Sequence, residues 1–434
     1  MTSETTADTA ADKATRPVAP RPTGVRATER ALAPDLARGL MLLFIAMSNT
    51  AFHLWNSDYG PSGWQPVNGN WLDHTVQFAM IVGLDLRIYP LFAFLFGYGM
   101  MQLYLRQTAS GTSERKAAAL LRKRSLWMIV IGLTHAGLLM AGDIVGYYGL
   151  LSLALGWLFL RRGDRALKWW IWISLTVTVA AAAQPVVTAA LQGELGSLGD
   201  AGADAGSEAY GAGEGNWLTA AGTRMTTAFF LVGMAAPLVL VTGGGFIFLL
   251  GFWAARRRIL EEPGKHLKLL RVTAIVGIAV GWLGGLPAAL AHVGALDVSP
   301  DAESDTGALM ALRDVTGSAA GLGYVALVAL FVHWWTRRRQ QQRDKSTTVA
   351  TAITAISAVG KRSLSCYLTH SLLFAPILAA WGLGLGEHLT SATMVLFALG
   401  VWLVTVAGAY ALEIRGKRGP AETLLRRLMY GKWT

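Results

Sequence analysis

Ten apolar runs dominate this sequence, each long enough to cross about 30 Å of hydrocarbon as a helix. They fall at roughly 36–55, 87–105, 123–141, 143–160, 168–191, 225–253, 270–292, 316–336, 363–383 and 391–412. None shows the strict alternation of a barrel strand. In lipid every backbone amide has to be paired within the structure, so helix is the expected form. Composition agrees, with 53% apolar and only 15% charged residues against about 25% charged in a soluble domain. The expectation is an all-α, polytopic integral membrane protein of about ten transmembrane helices over residues 34–413. The stretch from Trp71 to Gly83 is apolar but short, and reads as an interfacial helix rather than an eleventh span.

Counting Lys and Arg orients the spans. With the N-terminus inside, the segments 1–38, 105–125, 161–168, 255–271, 337–362 and 413–434 hold 35 of the 38 basic residues, leaving only Arg87, Arg224 and Arg313 outside. Against 12 acidic residues inside and 15 outside, the net charge is +23 on one side and −12 on the other, which restores the overall +11. A miscounted span would invert every later loop, so this asymmetry supports ten spans with both termini inside. The basic character of the chain then reflects topology and not nucleic-acid binding. Residues 1–33, without an apolar run, read as a disordered cytoplasmic tail. The segment 192–215, rich in Gly and acidic residues, reads as a flexible, solvated outer loop, and 414–434 as a basic cytoplasmic segment.

Several chemistries are excluded. A single cysteine, Cys366, rules out an intrachain disulfide or a Cys-based metal site. There is no His-x-x-x-His pair, no P-loop and no dinucleotide fingerprint, so no metal is expected.

Ionisable groups inside a span are costly and mark candidate sites. Arg38 opens the first span and Asn49 stands eleven residues on, about 16 Å deeper at 1.5 Å per residue. Arg124 and His135 repeat that spacing in the third span, which puts Asn49 and His135 at one level near the midplane. His53 follows Asn49 by four, so a continuous helix would put both on one face. Asp143 sits near the outer surface, at the turn into the fourth span. Each has a plainer reading as well: interfacial anchoring for His53, interhelical hydrogen bonding for His135 and Asn49, helix capping for Asp143. Gly281 and Gly285 form a small-x-x-x-small face for close packing, while Gly243–Gly245 and Pro237 interrupt the sixth span.

The motifs in order are Asp35-Leu36-Ala37-Arg38-Gly39 with Asn49, Phe94-Leu95-Phe96-Gly97-Tyr98-Gly99, and Gly132-Leu133-Thr134-His135 followed by Gly142-Asp143-Ile144. Near the end come Tyr367-Leu368-Thr369-His370-Ser371, Gly382-Leu383-Gly384-Leu385, and Arg418-Gly419-Pro420 with Glu422, Arg426 and Arg427. Together they resemble the bacterial YeiB-like family, a domain of unknown function, from about residue 30 to 431. That family looks related to the transmembrane acyltransferases, including lysosomal heparan-α-glucosaminide N-acetyltransferase and the bacterial acyltransferase-3 proteins. Those also open with Asp-x-x-Arg-Gly and carry a polar residue eleven after the Arg, the place of Asn49 here. The lysosomal enzyme's catalytic His corresponds to Gly60, with His53 and His74 on either side.

The resemblance implies a membrane-embedded acyltransferase of the bacterial cytoplasmic membrane. Acyl-CoA would be its donor substrate, and a small-molecule or lipid-linked hydroxyl or amine its acceptor. Asp35, Arg38, Arg122 and Arg124, together with Lys123, would hold the phosphates at the inner mouth. His53 or His135 would be the base, Asn49 would position the acyl group, and Asp143 would orient a histidine or the acceptor. The alternative from another class is a transporter or flippase using the same buried polar residues as a path.

Overall fold

The computed structural model describes residues 31–192, 206–241, 245–341 and 347–431. The tail expected at 1–33 therefore lies almost wholly outside the described residues. What is described is helical, and its one extended pairing is an isolated bridge between Tyr59 and Pro66.

The elements in chain order are α1 (Leu32–Ser48), α2 (Trp71–Gly83), α3 (Ile88–Ala109), α4 (Glu114–Leu138), α5 (Ile144–Phe159), α6 (Asp164–Gln192), α7 (Gly206–Ala209), α8 (Trp217–Phe230) and α9 (Ala236–Val241). There follow α10 (Phe246–Arg256), α11 (Leu267–His292), α12 (Pro300–Glu303), α13 (Ala308–Gln341), α14 (Thr347–Lys361), α15 (Ser363–Leu378), α16 (Ser391–Ile414) and α17 (Pro420–Tyr430). Six helical stretches are long and apolar enough to cross a membrane: Trp71–Ala109, Asp164–Thr188, Trp217–Leu240, Leu267–His292, Pro300–Gln341 and Ser391–Ile414. The shorter α5, α10, α14 and α15 are apolar as well. Only 11% of the apolar window of Asp164–Thr188 is buried inside the protein. The exposed Trp169, Trp170, Trp172 and Ile173 on α6 therefore need lipid as their solvent.

Local chemistry fixes many boundaries. Asn70 caps α2 through a capping box with Asp73, Asn216 caps α8, and Thr390 caps α16 with Thr393, each supplying partners for orphan amides of a first turn. Small residues set the closest helix contacts. A Cβ on Gly281 would lie 2.3 Å from the Ala320 methyl, and one on Gly251 only 2.4 Å from the carbonyl of Phe94. Thus α11 packs on α13, and α10 on α3, nearly backbone to backbone.

Four sequence expectations need revision. The first run does not continue to residue 55 as one helix: α1 ends at Ser48, and a 3-10 turn covers Ala51–His53. The sixth run starts at Trp217 and is broken into α8, α9 and α10, with a π turn over Leu231–Ala235. Pro237 lacks the amide that would bond back to Gly233, and the widened turn accommodates its ring. Third, residues 206–215, the end of the segment 192–215, are partly packed, although Glu208, Gly213 and Gly215 are exposed; residues 193–205 lie outside the described residues. Ala212 is buried, the Tyr210 ring stacks on Phe52 at 4.6 Å, and Gly206 N donates to Gly63 O at 2.9 Å. Finally, the inside segment 337–362 contains α14, which lies antiparallel on α1 with Gly39 against Ile356 and Gly360 against Asp35. The short apolar helix expected at Trp71–Gly83 is present as α2 and turns through residues 84–87 directly into α3.

Contacts between helix ends sort them into two groups. In one, Arg256 reaches Asp164 at 2.9 Å, and Lys361 and Arg362 hold Glu413 at 2.5 and 2.7 Å. In the other, Asp73 accepts from Ala392 N at 2.9 Å, Trp55 Nε1 donates to Leu378 O at 3.1 Å, and Ala380 N donates to Ala212 O at 2.9 Å. The first is the Lys/Arg-rich set of loops, called here the basic end, and the second the acidic end.

Candidate functional site

A cavity of about 360 Å³ opens at the basic end, walled by α1, α3, α4, α15 and α17. Six cationic side chains line it (Arg38, Arg106, Arg124, Lys361, Arg418 and Arg426) against two acids, Asp35 and Glu422. The lining thus carries a formal excess of four positive charges. Its other walls are apolar: Met41 and Leu42 of α1, Phe92 and Phe96 of α3, Met128 of α4, and Ile144 and Val145 at the start of α5.

The motifs explain how the cations are placed. Asp35 and Arg38 are a turn apart on α1, with Nη1 of Arg38 3.2 Å from Asp35 Oδ1 and Nη2 donating to Leu95 O at 3.2 Å. A Cβ on Gly99 would stand 2.7 Å from Nη2, so the glycine of the Phe94–Gly99 motif leaves room for the guanidinium. Arg124 lies 5.0 Å over the Phe96 ring, within cation–π reach. Of the expected phosphate-holding residues, Asp35, Arg38 and Arg124 line the cavity, whereas Arg122 is exposed and does not. Successive α4 residues are about 100° apart, so residues 122 and 124 point to different sides.

Glu422 ties α17 down. Its Oε1 accepts from Leu364 N and Ser365 N at 2.9 and 3.1 Å, and its Oε2 accepts from the Ser365 hydroxyl at 2.5 Å. The carboxylate thereby satisfies first-turn amides of α15 and sits at the positive end of that helix.

His135 and Asp143 are brought together. Nδ1 of His135 lies 2.8 Å from Asp143 Oδ1, and both side chains are buried. Asp143 also caps α5, accepting from Gly146 N on Oδ2 at 2.6 Å. A Cβ on Gly132 would come within 2.3 Å of that Oδ2, so the glycine of the Gly132–His135 motif admits the start of α5. An ionised carboxylate only accepts, which assigns the proton to Nδ1 and leaves Nε2 a lone pair in the neutral ring. Nε2 is buried with no hydrogen-bond partner among the described residues. Between this pair and the cavity stands Tyr367. It lines the cavity, its ring centre is 5.3 Å from that of His135, and its hydroxyl accepts from Ile144 N at 3.3 Å.

The other expected residues are placed differently. Asn49 follows α1 as its C-cap, with Nδ2 3.9 Å from Met140 Sδ. Ser371 Oγ reaches the same sulfur at 3.5 Å. Because α1 stops at Ser48, Asn49 and His53 share no helical face. The His53 ring is buried edge-on to Phe374 at 5.7 Å, and neither nitrogen has a partner among the described residues. His370 bonds Thr405 Oγ1 at 3.2 Å. None of Asn49, His53, His135 or Asp143 lines the cavity. Sequence reasoning gave no role to Arg106, Lys361 or Tyr367, although Tyr367 opens the motif Tyr367–Ser371. Among the described residues no cluster of His, Cys, Asp and Glu has the makings of a metal site.

Fold and site together define an all-helical, multi-pass membrane protein with a basic cavity at one end. Residues 254–432 match the model of a family described as "Protein of unknown function (DUF418)". The chain is also 25% identical over 371 residues, 79% of each protein, to "Uncharacterized protein YxaH" of Bacillus subtilis (strain 168). No solved structure matches.

Proposed function

We propose that the protein is a membrane-embedded acyltransferase of the bacterial cytoplasmic membrane. In this reading an acyl group passes from cytoplasmic acyl-CoA to a hydroxyl or amine of an envelope or small-molecule acceptor. The observation that carries it is the cavity itself: cations at the basic end, apolar walls within, and the His135–Asp143 pair one ring behind the wall. A polyanion with a long, largely uncharged arm fits that polarity.

Arg38, Arg106 and Arg124 neutralise phosphates, and the arm runs along Met41, Leu42 and Met128. Displacement of the Tyr367 ring brings the thioester to His135. The acceptor attacks the thioester carbonyl carbon and its proton passes to Nε2. The C–S bond then breaks, and the proton moves on to the departing thiolate. Asp143 holds the imidazole tautomer and its orientation. Asn49 supplies a donor for the carbonyl oxygen.

The first test is calorimetric titration of acetyl-CoA into the protein in nanodiscs. Binding that weakens in Arg38→Ala and Arg124→Ala supports the reading, and the absence of binding by folded protein removes it. In a transfer assay, unchanged turnover in both Asn49→Ala and His135→Ala would remove the residue assignment.

One observation favours transport instead: the four candidate polar residues stand behind the cavity wall and not on it. A flippase or small-molecule transporter needs a charged vestibule but no base in contact with its cargo. Substrate movement that collapses with the proton gradient, without consumption of acyl-CoA, would decide for it.

A further inference from the structure

The cavity is not closed by transmembrane packing alone. One face of α17 forms a wall of it, through Glu422, Leu425, Arg426, Met429 and Tyr430, with Arg418 just before the helix. The opposite face is solvated, with Leu424 and Arg427 exposed. The linker from α16 contains Gly416 at φ +62°, a left-handed position that glycine takes without strain, and Gly419-Pro420 begins the helix. Polar ties to α15 concentrate on one turn: Glu422 on Leu364 N and on Ser365, and Ala421 N donating to Ser365 Oγ at 3.0 Å.

Charge gives this wall a direction of movement. Arg418 and Arg426 travel with α17, while Arg38, Arg106, Arg124 and Lys361 stay with the bundle. Arg38 is paired with Asp35 and Lys361 with Glu413, so the repulsion across the cavity is partly offset within the protein, and what remains is opposed by the Glu422 tie and the burial of Leu425 and Met429. An anion between the two sets reverses the sign and draws α17 in.

We propose that α17 is a strap that swings out to admit a polyanionic ligand and closes on it, with Glu422 on the first turn of α15 as its latch. The inference rests on the reading that the cavity takes an anion, but not on that anion being acyl-CoA.

Ser363 lies under the strap on the cavity wall, and Ser363→Cys is nearly isosteric. In a Cys366→Ala background it provides one reporter thiol whose maleimide labelling measures opening. Glu422→Gln and Glu422→Ala are expected to speed labelling about five- to tenfold, the shift in an opening equilibrium that loss of one helix cap produces. Inorganic pyrophosphate and acetyl-CoA are each expected to slow it in the Glu422 form. Hydrogen exchange supplies the folding control: α17 amides exchange faster in the variants while those of α11 and α16 are unchanged. Labelling and α17 exchange that ignore both Glu422 substitutions would overturn the latch. Labelling that neither anion slows would overturn closure on a ligand. Protection by pyrophosphate and not by acetyl-CoA leaves the strap standing and removes the acyl-CoA donor.

Discussion

The two ends of the bundle handle charge in opposite ways. At the acidic end Asp85 is buried and saturated: it accepts from Ser48 Oγ and Gln65 Nε2, each at 2.9 Å, and from Arg313 Nη2 at 3.2 Å. Neighbouring Arg87, equally buried, donates to the Asp85 carbonyl at 2.6 Å and to Gly281 O at 2.7 Å. These groups join α1, the α2–α3 turn, α11 and α13. At the basic end six cations line a cavity with two acids, Asp35 and Glu422, and Lys361 also pairs with Glu413 behind the wall. Buried charge that meets its match in the protein acts as structure, whereas like charge gathered around a space calls for a ligand of the other sign.

Substitutions at the two ends should therefore have different consequences. The largest effect expected is for Asp85→Ala, which removes the carboxylate hydrogen-bonded to buried Arg313 and costs about 3–5 kcal/mol. Thermal unfolding in detergent checks it, and a wild-type melting curve would break the comparison. Arg124→Ala should leave melting nearly unchanged but weaken acetyl-CoA or pyrophosphate binding about tenfold, the equivalent of ~1.4 kcal/mol. Raising ionic strength from roughly 0.1 to 1 M should weaken the same binding, because screening acts on open sites far more than on buried pairs. Gly99→Ala is subtler: its methyl displaces the flexible end of Arg38 and costs a few-fold in affinity, about 0.5–1 kcal/mol, with the fold intact. Arg122→Ala should move neither melting nor binding beyond about 0.5 kcal/mol. A large loss there would show that the anion also contacts the outside of α4.

Much of this contrast was legible in the sequence. Arg124, Met128 and His135 lie at helical spacing along one stripe of α4, and the eleven-residue step from Arg124 to His135 leads from the cavity to the buried pair. The Asp35–Arg38 turn was readable for the same reason: both residues sit inside an uninterrupted helix. Inference failed where the helix itself failed. The face assigned to Asn49 and His53 assumed that α1 continued, and nothing local in Ser48-Asn49-Thr50 announces its end. The missing cations came from distant segments. Arg106, Lys361 and Arg426 belong to three helices whose convergence depends on glycine contacts such as Gly360 on Asp35, which no periodicity reveals. Glu422 was visible as part of a motif, but its role requires α15 to begin beside it.

The separation in sequence between the parts of the site has a consequence for assembly. His135 and Asp143 are eight residues apart, on either side of a single turn, so the α4–α5 hairpin forms the pair by itself. The cavity draws on residues from Ala31 to Tyr430 and has to wait for its most distant walls to meet. Local contacts form early and long-range ones late. Chains that stall during maturation will therefore contain the imidazole–carboxylate pair with no vestibule in front of it. A substitution that slows late docking will look like a ligand-binding defect, although no residue that touches ligand has changed.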